Sequence, residues 1–173
     1  LEGTIPEWEP QITYSNSSIG NPKDFLTREE RGKIREAALE YGSIPQYNDL
    51  TPDQRDRWRR YLSMRFEVPI SEVTPDYWDR ANGWKMPSLV WTSLDAGLRP
   101  VEVQQFKTSW LNLENDRLLI PKEESSKNRE NWIVPIRERT TIALDKWRNE
   151  RKLYDKYDGE DHLWLTREGN PYG

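Results

Sequence analysis

A mainly helical α+β domain with one small antiparallel sheet is the fold class this sequence predicts. Three observations lead to it. Capped segments with apolar residues at helical spacing fill both halves of the chain. Three short alternating or apolar runs fall together between residues 110 and 136, each bounded by turn residues. Nine Trp residues supply large anchors to a chain of 173 residues whose hydrophobic fraction is only 34%, which lets one domain bury a core. There is no internal repeat and no low-complexity tract.

The elements follow in order. Residues 1–22, with Pro6, Pro10 and Pro22, read as a poorly ordered or surface-draped lead. The domain proper is expected over 23–173. A helix runs from Arg28 to Tyr41: Thr27 and Glu30 make a capping box, Ile34, Ala37, Ala38 and Tyr41 share a face, and Gly42 ends it. A second opens at Thr51-Pro52-Asp53-Gln54, with proline in the first turn, and carries the stripe Trp58, Tyr61, Leu62 and Arg65. Arg55, Arg57, Arg59 and Arg60 lie on its other faces and alternate with acids, as a solvated face does. A short helix after Thr74-Pro75 carries Tyr77 and Trp78.

The run Pro87 to Ala96, apolar at Leu89, Val90, Trp91 and Leu94, suits a buried helix. Gly97 supplies its left-handed stop, and Pro100 starts a new helix over 100–108. Trp110-Leu111-Asn112-Leu113, Arg117-Leu118-Leu119-Ile120-Pro121 and Trp132-Ile133-Val134-Pro135-Ile136 are the strands. The charged turn 122–129 links the second strand to the third. The last long helix is expected from about Arg139 to Lys156, with Ile142, Ala143, Trp147 and Tyr154 inward and Gly159 beyond it.

Composition removes several functional classes. The absence of cysteine excludes disulfides and thiolate metal sites. No run approaches the ~20 apolar residues of a membrane helix. The polar, acidic opening is unlike a signal peptide, so a cytoplasmic location is expected and the Asn16-Ser17-Ser18 sequon carries no meaning. Net charge is −4 with pI near 5.3, against the basic balance usual for nucleic-acid binding. The charge is uneven, however: residues 99–152 hold 12 basic and 9 acidic side chains, leaving the acidity to the rest. A phosphate-facing surface therefore stays open.

The chemistry concentrates at Gly97-Leu98-Arg99-Pro100-Val101-Glu102-Val103. The tight corner projects Arg99 from the start of a helix, beside backbone N–H groups and the positive dipole end, where a guanidinium suits a phosphate. Glu102, three residues on, is placed to orient it. An isolated motif of this kind is as readily a surface ion pair; the strands that follow, and the lysines of the turn, give it weight.

Taken together, this motif, Trp110-Leu111-Asn112-Leu113, the lysine-bearing hairpin closing on Val134-Pro135-Ile136, and Leu163-Trp164-Leu165-Thr166-Arg167-Glu168-Gly169-Asn170-Pro171 resemble the catalytic domain of tyrosine recombinases, the phage-integrase family. The wording is most similar to integrases of salt-loving archaea. The resemblance covers about Pro87 to Gly173 well and the first half only through that archaeal flavour. It implies DNA integration or recombination through a phosphotyrosyl intermediate, with double-stranded DNA as partner, self-association on DNA, and neither metal nor nucleotide cofactor. Arg99 matches the first catalytic arginine and Glu102 its acidic companion. Lys127, followed by Asn128 and Arg129, is chosen as the lysine that protonates the departing 5′-oxygen; Lys122 is the alternative.

The departures are as informative. The family's His-x-x-Arg box is missing: His162, the sole histidine, is followed by Leu163, Trp164 and Leu165. Tyr172 has no such box before it and is not assigned as nucleophile. The chain is therefore expected to be an incomplete catalytic domain, inactive alone. A recombinase-derived DNA-binding module without catalysis is the second reading, and a helical interaction domain the third.

Overall fold

The computed structural model describes residues 26–124 and 130–172. Six α-helices and a three-stranded antiparallel sheet make it up, as the sequence predicts. The expected lead, residues 1–22, lies outside the described residues.

Local chemistry explains the helix starts. α1, Arg28–Tyr41, opens with Thr27 Oγ1 accepting from Glu30 N at 3.2 Å while Glu30 returns a carboxylate to Thr27 N at 2.7 Å. α2, Pro52–Phe66, repeats the device with Thr51 and Gln54. Each box satisfies two N–H groups that a helix start leaves without a partner. A short α3, Asp76–Arg80, leads to α4, Lys85–Ala96, and then to α5, Pro100–Gln104. The strands β1 (Leu111–Asn112), β2 (Arg117–Ile120) and β3 (Trp132–Pro135) pair in that order, Leu118 lying between Leu111 and Val134. α6, Glu138–Arg151, follows.

α4 is the hub, packed along α1 and α6 and touched by β3. Two apolar clusters flank this frame. The larger gathers Phe106, Trp110, Trp147 and Trp164 with Leu118, Ile120 and Leu144; the smaller gathers Trp58, Leu62, Val73 and Trp78. Tyr154 packs on both, its ring 5.4 Å from Trp58 and 5.8 Å from Trp147. Burying one Trp removes enough apolar area to contribute roughly 4–6 kcal/mol, which is how a sequence this polar closes a core. Two of the buried indoles find polar partners, Trp147 Nε1 donating to Leu163 O at 2.9 Å and Trp164 Nε1 to Ser88 Oγ at 2.9 Å, whereas those of Trp78 and Trp110 have none among the described residues.

Two helices are shorter than their sequence suggests. α5 stops at Gln104 rather than 108 because Phe106 turns into the core between Trp110 and Trp164. Its carbonyl accepts from Leu163 N at 2.7 Å, and Thr108 N donates to Asp161 O at 2.9 Å. The strand-like pairing of 106–108 with 161–163 thus replaces the helix. α6 ends at Arg151 rather than Lys156, since the wedge made by Tyr154 needs extended backbone (φ −96°, ψ 101°).

Face assignments differ as well. Tyr41, Ala37 and Ile142 are exposed; Ala38 is buried as expected, and the residue that joins it on the inward face of α1 is Arg35. The reason is polar: Arg35, only 6% exposed in its side chain, pairs at 2.7 Å with Asp95 of α4. Glu150 is likewise fully buried, accepting from Trp84 N at 3.1 Å and Tyr61 OH at 3.1 Å. Burial raises its carboxyl to about 7, against the lowering effect of those donors and of Arg65. Beside it, Gly83 permits a close approach of chains: a Cβ there would overlap the Ser43 carbonyl.

Candidate functional site

The corner between α4 and α5 forms as its residues require. Gly97 takes the left-handed conformation (φ 63°, ψ 36°) and its N–H closes α4 on Ser93 O at 2.9 Å. Leu98 packs against the larger core cluster. Arg99 is extended (φ −78°, ψ 156°), and Pro100 then begins α5.

Glu102 governs what Arg99 can do. Its side chain is 3% exposed; Oε2 accepts from Arg99 N at 2.8 Å, and Oε1 lies 3.9 Å from Arg99 Nη1. The guanidinium itself is 49% exposed. A buried carboxylate therefore holds the backbone of a half-exposed arginine and lies within ion-pair distance of its head group, unlike a surface pair between two mobile chains. One expectation changes here. α5 has only five residues, so its dipole is small, and the N–H of Arg99 is taken by Glu102. The backbone of Arg99 is thus fixed by Glu102 rather than offered to a ligand.

The base of the β2–β3 connection is tied to the segment after α5. Lys107 Nζ lies 2.6 Å from Glu124 Oε2, and Lys122 N donates to Asn131 Oδ1 at 3.2 Å across the hairpin. Lys122 is exposed, its ammonium 3.8 Å from Glu123. Lys127 lies outside the described residues. The structure therefore brings Arg99 and Glu102 together, and places Lys122 at the hairpin base beside Glu123.

Residues that sequence reasoning passed over brace the corner from behind. Asp95, in the last turn of α4, has a side chain only 3% exposed. Oδ1 takes Arg35 at 2.7 Å; Oδ2 accepts from Thr140 Oγ1 at 2.6 Å and from Arg137 N at 3.2 Å. One carboxylate thus fastens α1, α4 and the β3–α6 corner four residues before Arg99. Its signal in the sequence was an acid at the wrong end of a helix dipole, which asks for cationic partners.

Tyr172 and His162 take structural places. Tyr172 packs on the larger core cluster with Lys85 Nζ 5.5 Å from its ring centre, and burial raises its hydroxyl pKa. His162 pairs with Lys107 through the backbone, its Nδ1 3.7 Å from Glu160 Oε2. Two arginines of α2 have partners: Arg55 sits 4.4 Å over the Tyr47 ring and Arg57 pairs with Asp155 at 2.6 Å. Among the described residues no group of three or more His, Asp or Glu is arranged to hold a metal ion, and no helix is long and apolar enough to cross a membrane.

No family model matches the chain, and no curated protein matches it. Among solved structures it is similar to one described as a crystal structure of XerA recombinase, at 14% identity and a TM-score of 0.45. The match covers 84% of this chain and 64% of that one, so the 173 residues span less than two thirds of that recombinase's length.

Proposed function

We propose that these residues belong to the catalytic domain of a tyrosine recombinase acting on double-stranded DNA, and that 23–173 is the part of that domain carrying its first arginine and its lysine. The observation that carries the reading is the Arg99–Glu102 pair: a buried carboxylate presenting a half-exposed guanidinium at a rigid corner. A planar fork of donors held in advance suits the non-bridging oxygens of a phosphodiester, and holding it in advance is what stabilises developing charge.

In the proposed reaction a tyrosine hydroxyl forms a bond to phosphorus as the bond to the 5′-oxygen breaks. Arg99 binds the phosphate and Glu102 positions Arg99. Lys127, with Lys122 as the alternative, gives the departing 5′-oxygen its proton. The tyrosine and the His-x-x-Arg box are not among these 173 residues, so the site is completed from elsewhere. Self-association on DNA belongs to the same proposal, as does the lack of any cofactor, because the phosphotyrosyl bond conserves the energy of the broken one.

A DNA-binding module without chemistry is the second reading. It is in keeping with the sequence around the sole histidine, where His162 is followed by Leu163, Trp164 and Leu165 and no His-x-x-Arg box is formed. Fluorescence anisotropy with a short labelled duplex tests both. The expected result is a log affinity falling linearly with log salt, each neutralised phosphate adding about −0.9 to the slope. Undetectable or salt-independent affinity contradicts both readings. Covalent protein–DNA complexes in the protein that carries the tyrosine then separate the recombinase from the module.

A further inference from the structure

Five arginines gather behind the corner. Arg28, Arg31 and Arg35 of α1 and Arg137 and Arg139 at the start of α6 line one open cleft of about 510 Å³. A second cavity of about 270 Å³ adjoins it, sharing Arg31 and Arg137 and reaching Asp95 and Pro135. Among the described residues, Asp95 is the one carboxylate lining either cavity. Of the acids nearest in sequence, Glu29 is turned to Lys33 at 2.7 Å, Glu30 caps Thr27 N at 2.7 Å, and Glu36 and Glu138 are exposed.

Like charges repel, so five guanidiniums in one cleft need a reason. Arg35 shows the strain: its pKa is lowered first by burial and further by Arg139 and Arg137, with Asp95 opposing. Its buried Nε has no hydrogen-bond partner among the described residues. A buried donor left unmade costs free energy. The cluster also belongs to a chain of net charge −4, and a single carboxylate, Asp95, is paired with two of its members, Arg35 at 2.7 Å and Arg137 at 3.5 Å.

We propose that this arginine cleft between α1 and the β3–α6 corner seats a backbone phosphate of duplex DNA, a second anchoring point beside the one at Arg99. The inference rests on the DNA reading above and extends it to a separate surface. Nearness to Arg99 is what points to DNA as the occupant. Asp95, which lines the adjoining cavity and is paired with Arg35 of the cleft, is four residues from Arg99, so their Cα atoms lie within about 14 Å. At about 3.4 Å of helix rise per phosphate along one strand, a duplex with one phosphate on Arg99 has others within that span. The arginine fork accepts two phosphate oxygens at once. The cleft reads no base, so it fixes register and orientation and not sequence.

The test uses the 173-residue chain and a labelled duplex over a range of salt. Arg28→Ala with Arg139→Ala removes two exposed guanidiniums, and Arg60→Ala on α2 is the control. The proposal expects the double variant to bind about tenfold or more weakly at 0.1 M salt, with its salt slope reduced by about 1–2, while Arg60→Ala stays near wild type. A double variant no weaker than Arg60→Ala overturns the cleft and leaves the DNA reading standing. Wild-type chain that does not bind the duplex at all overturns both. A poly-glutamate peptide that binds as tightly as the duplex, and loses its binding in the double variant, overturns the phosphate seat in favour of an acidic protein partner. Circular dichroism of each variant, expected to match wild type, excludes loss of fold as the cause of weakened binding. For a double variant that fails this check, Arg28→Gln with Arg139→Gln replaces it under the same criteria.

Discussion

Glu102 grips Arg99 twice, accepting its backbone N–H at 2.8 Å with one oxygen and lying 3.9 Å from its guanidinium with the other. The first contact fixes the chain and the second sets a negative charge beside the head group. Glu102→Gln keeps an oxygen for the N–H and discards the charge. In the protein that carries the tyrosine, we expect a single-turnover cleavage rate about tenfold lower, the scale of one charge-assisted hydrogen bond. Duplex affinity should stay unchanged. A fall in affinity with an intact rate would mean that Glu102 serves binding alone.

The lysine is decided by leaving-group chemistry. A 5′-thiolate departs without needing a proton, so the variant lacking the true donor regains cleavage on a 5′-phosphorothiolate substrate. Lys127→Ala is expected to be rescued and Lys122→Ala to need no rescue. The reverse pattern transfers the role to Lys122, whose ammonium lies 3.8 Å from Glu123 at the hairpin base.

Asp95 is the brace. Removing it leaves Arg35 as a buried cation, 6% exposed, without its carboxylate. Asp95→Ala should cost about 3–5 kcal/mol, measured by denaturant unfolding. Arg35→Met in the same chain should recover part of that loss. A cost below about 1 kcal/mol for Asp95→Ala would show that the brace is dispensable.

Stability should fall with rising pH because of Glu150. Its carboxyl is raised to about 7 in the fold from an ordinary value of 4.5. Between these values the folded chain holds a proton that the unfolded chain has released, so the fold is favoured at low pH. The loss begins above about pH 4.5 and is complete once pH passes about 7, amounting to something on the order of 3 kcal/mol. Glu150→Gln keeps an acceptor for Trp84 and removes the titration. The wild-type minus variant difference in unfolding free energy should therefore change between pH 4.5 and 8; a constant difference contradicts the assignment.

Much of the fold was legible because its signals are local. Thr27 with Glu30, Thr51 with Gln54, and Gly97 each announce a helix end through contacts within four residues. The strands were legible from alternation, which puts Leu118 and Ile120 inward and Leu119 outward. What could not be read depends on partners distant in sequence. Phe106 leaves its helix for residues 161–163, Tyr154 leaves α6 to join two clusters, and Arg35, Asp95 and Glu150 are buried because other elements supply their counterparts. A period-based reading assigns charged residues outward, so it turned α1 toward Tyr41 and missed Arg35. At the site, Arg99 and Glu102 were visible as a motif, while the carboxylate behind them and the arginine cleft were not.

The most direct test of the central claim is covalent capture on a nicked suicide duplex by the protein that carries the tyrosine, comparing wild type with Arg99→Ala. We predict a phosphotyrosyl complex for wild type, and none for Arg99→Ala despite near-normal duplex binding. A variant that forms the complex at the wild-type rate would show that the guanidinium at the α4–α5 corner does not hold the scissile phosphate.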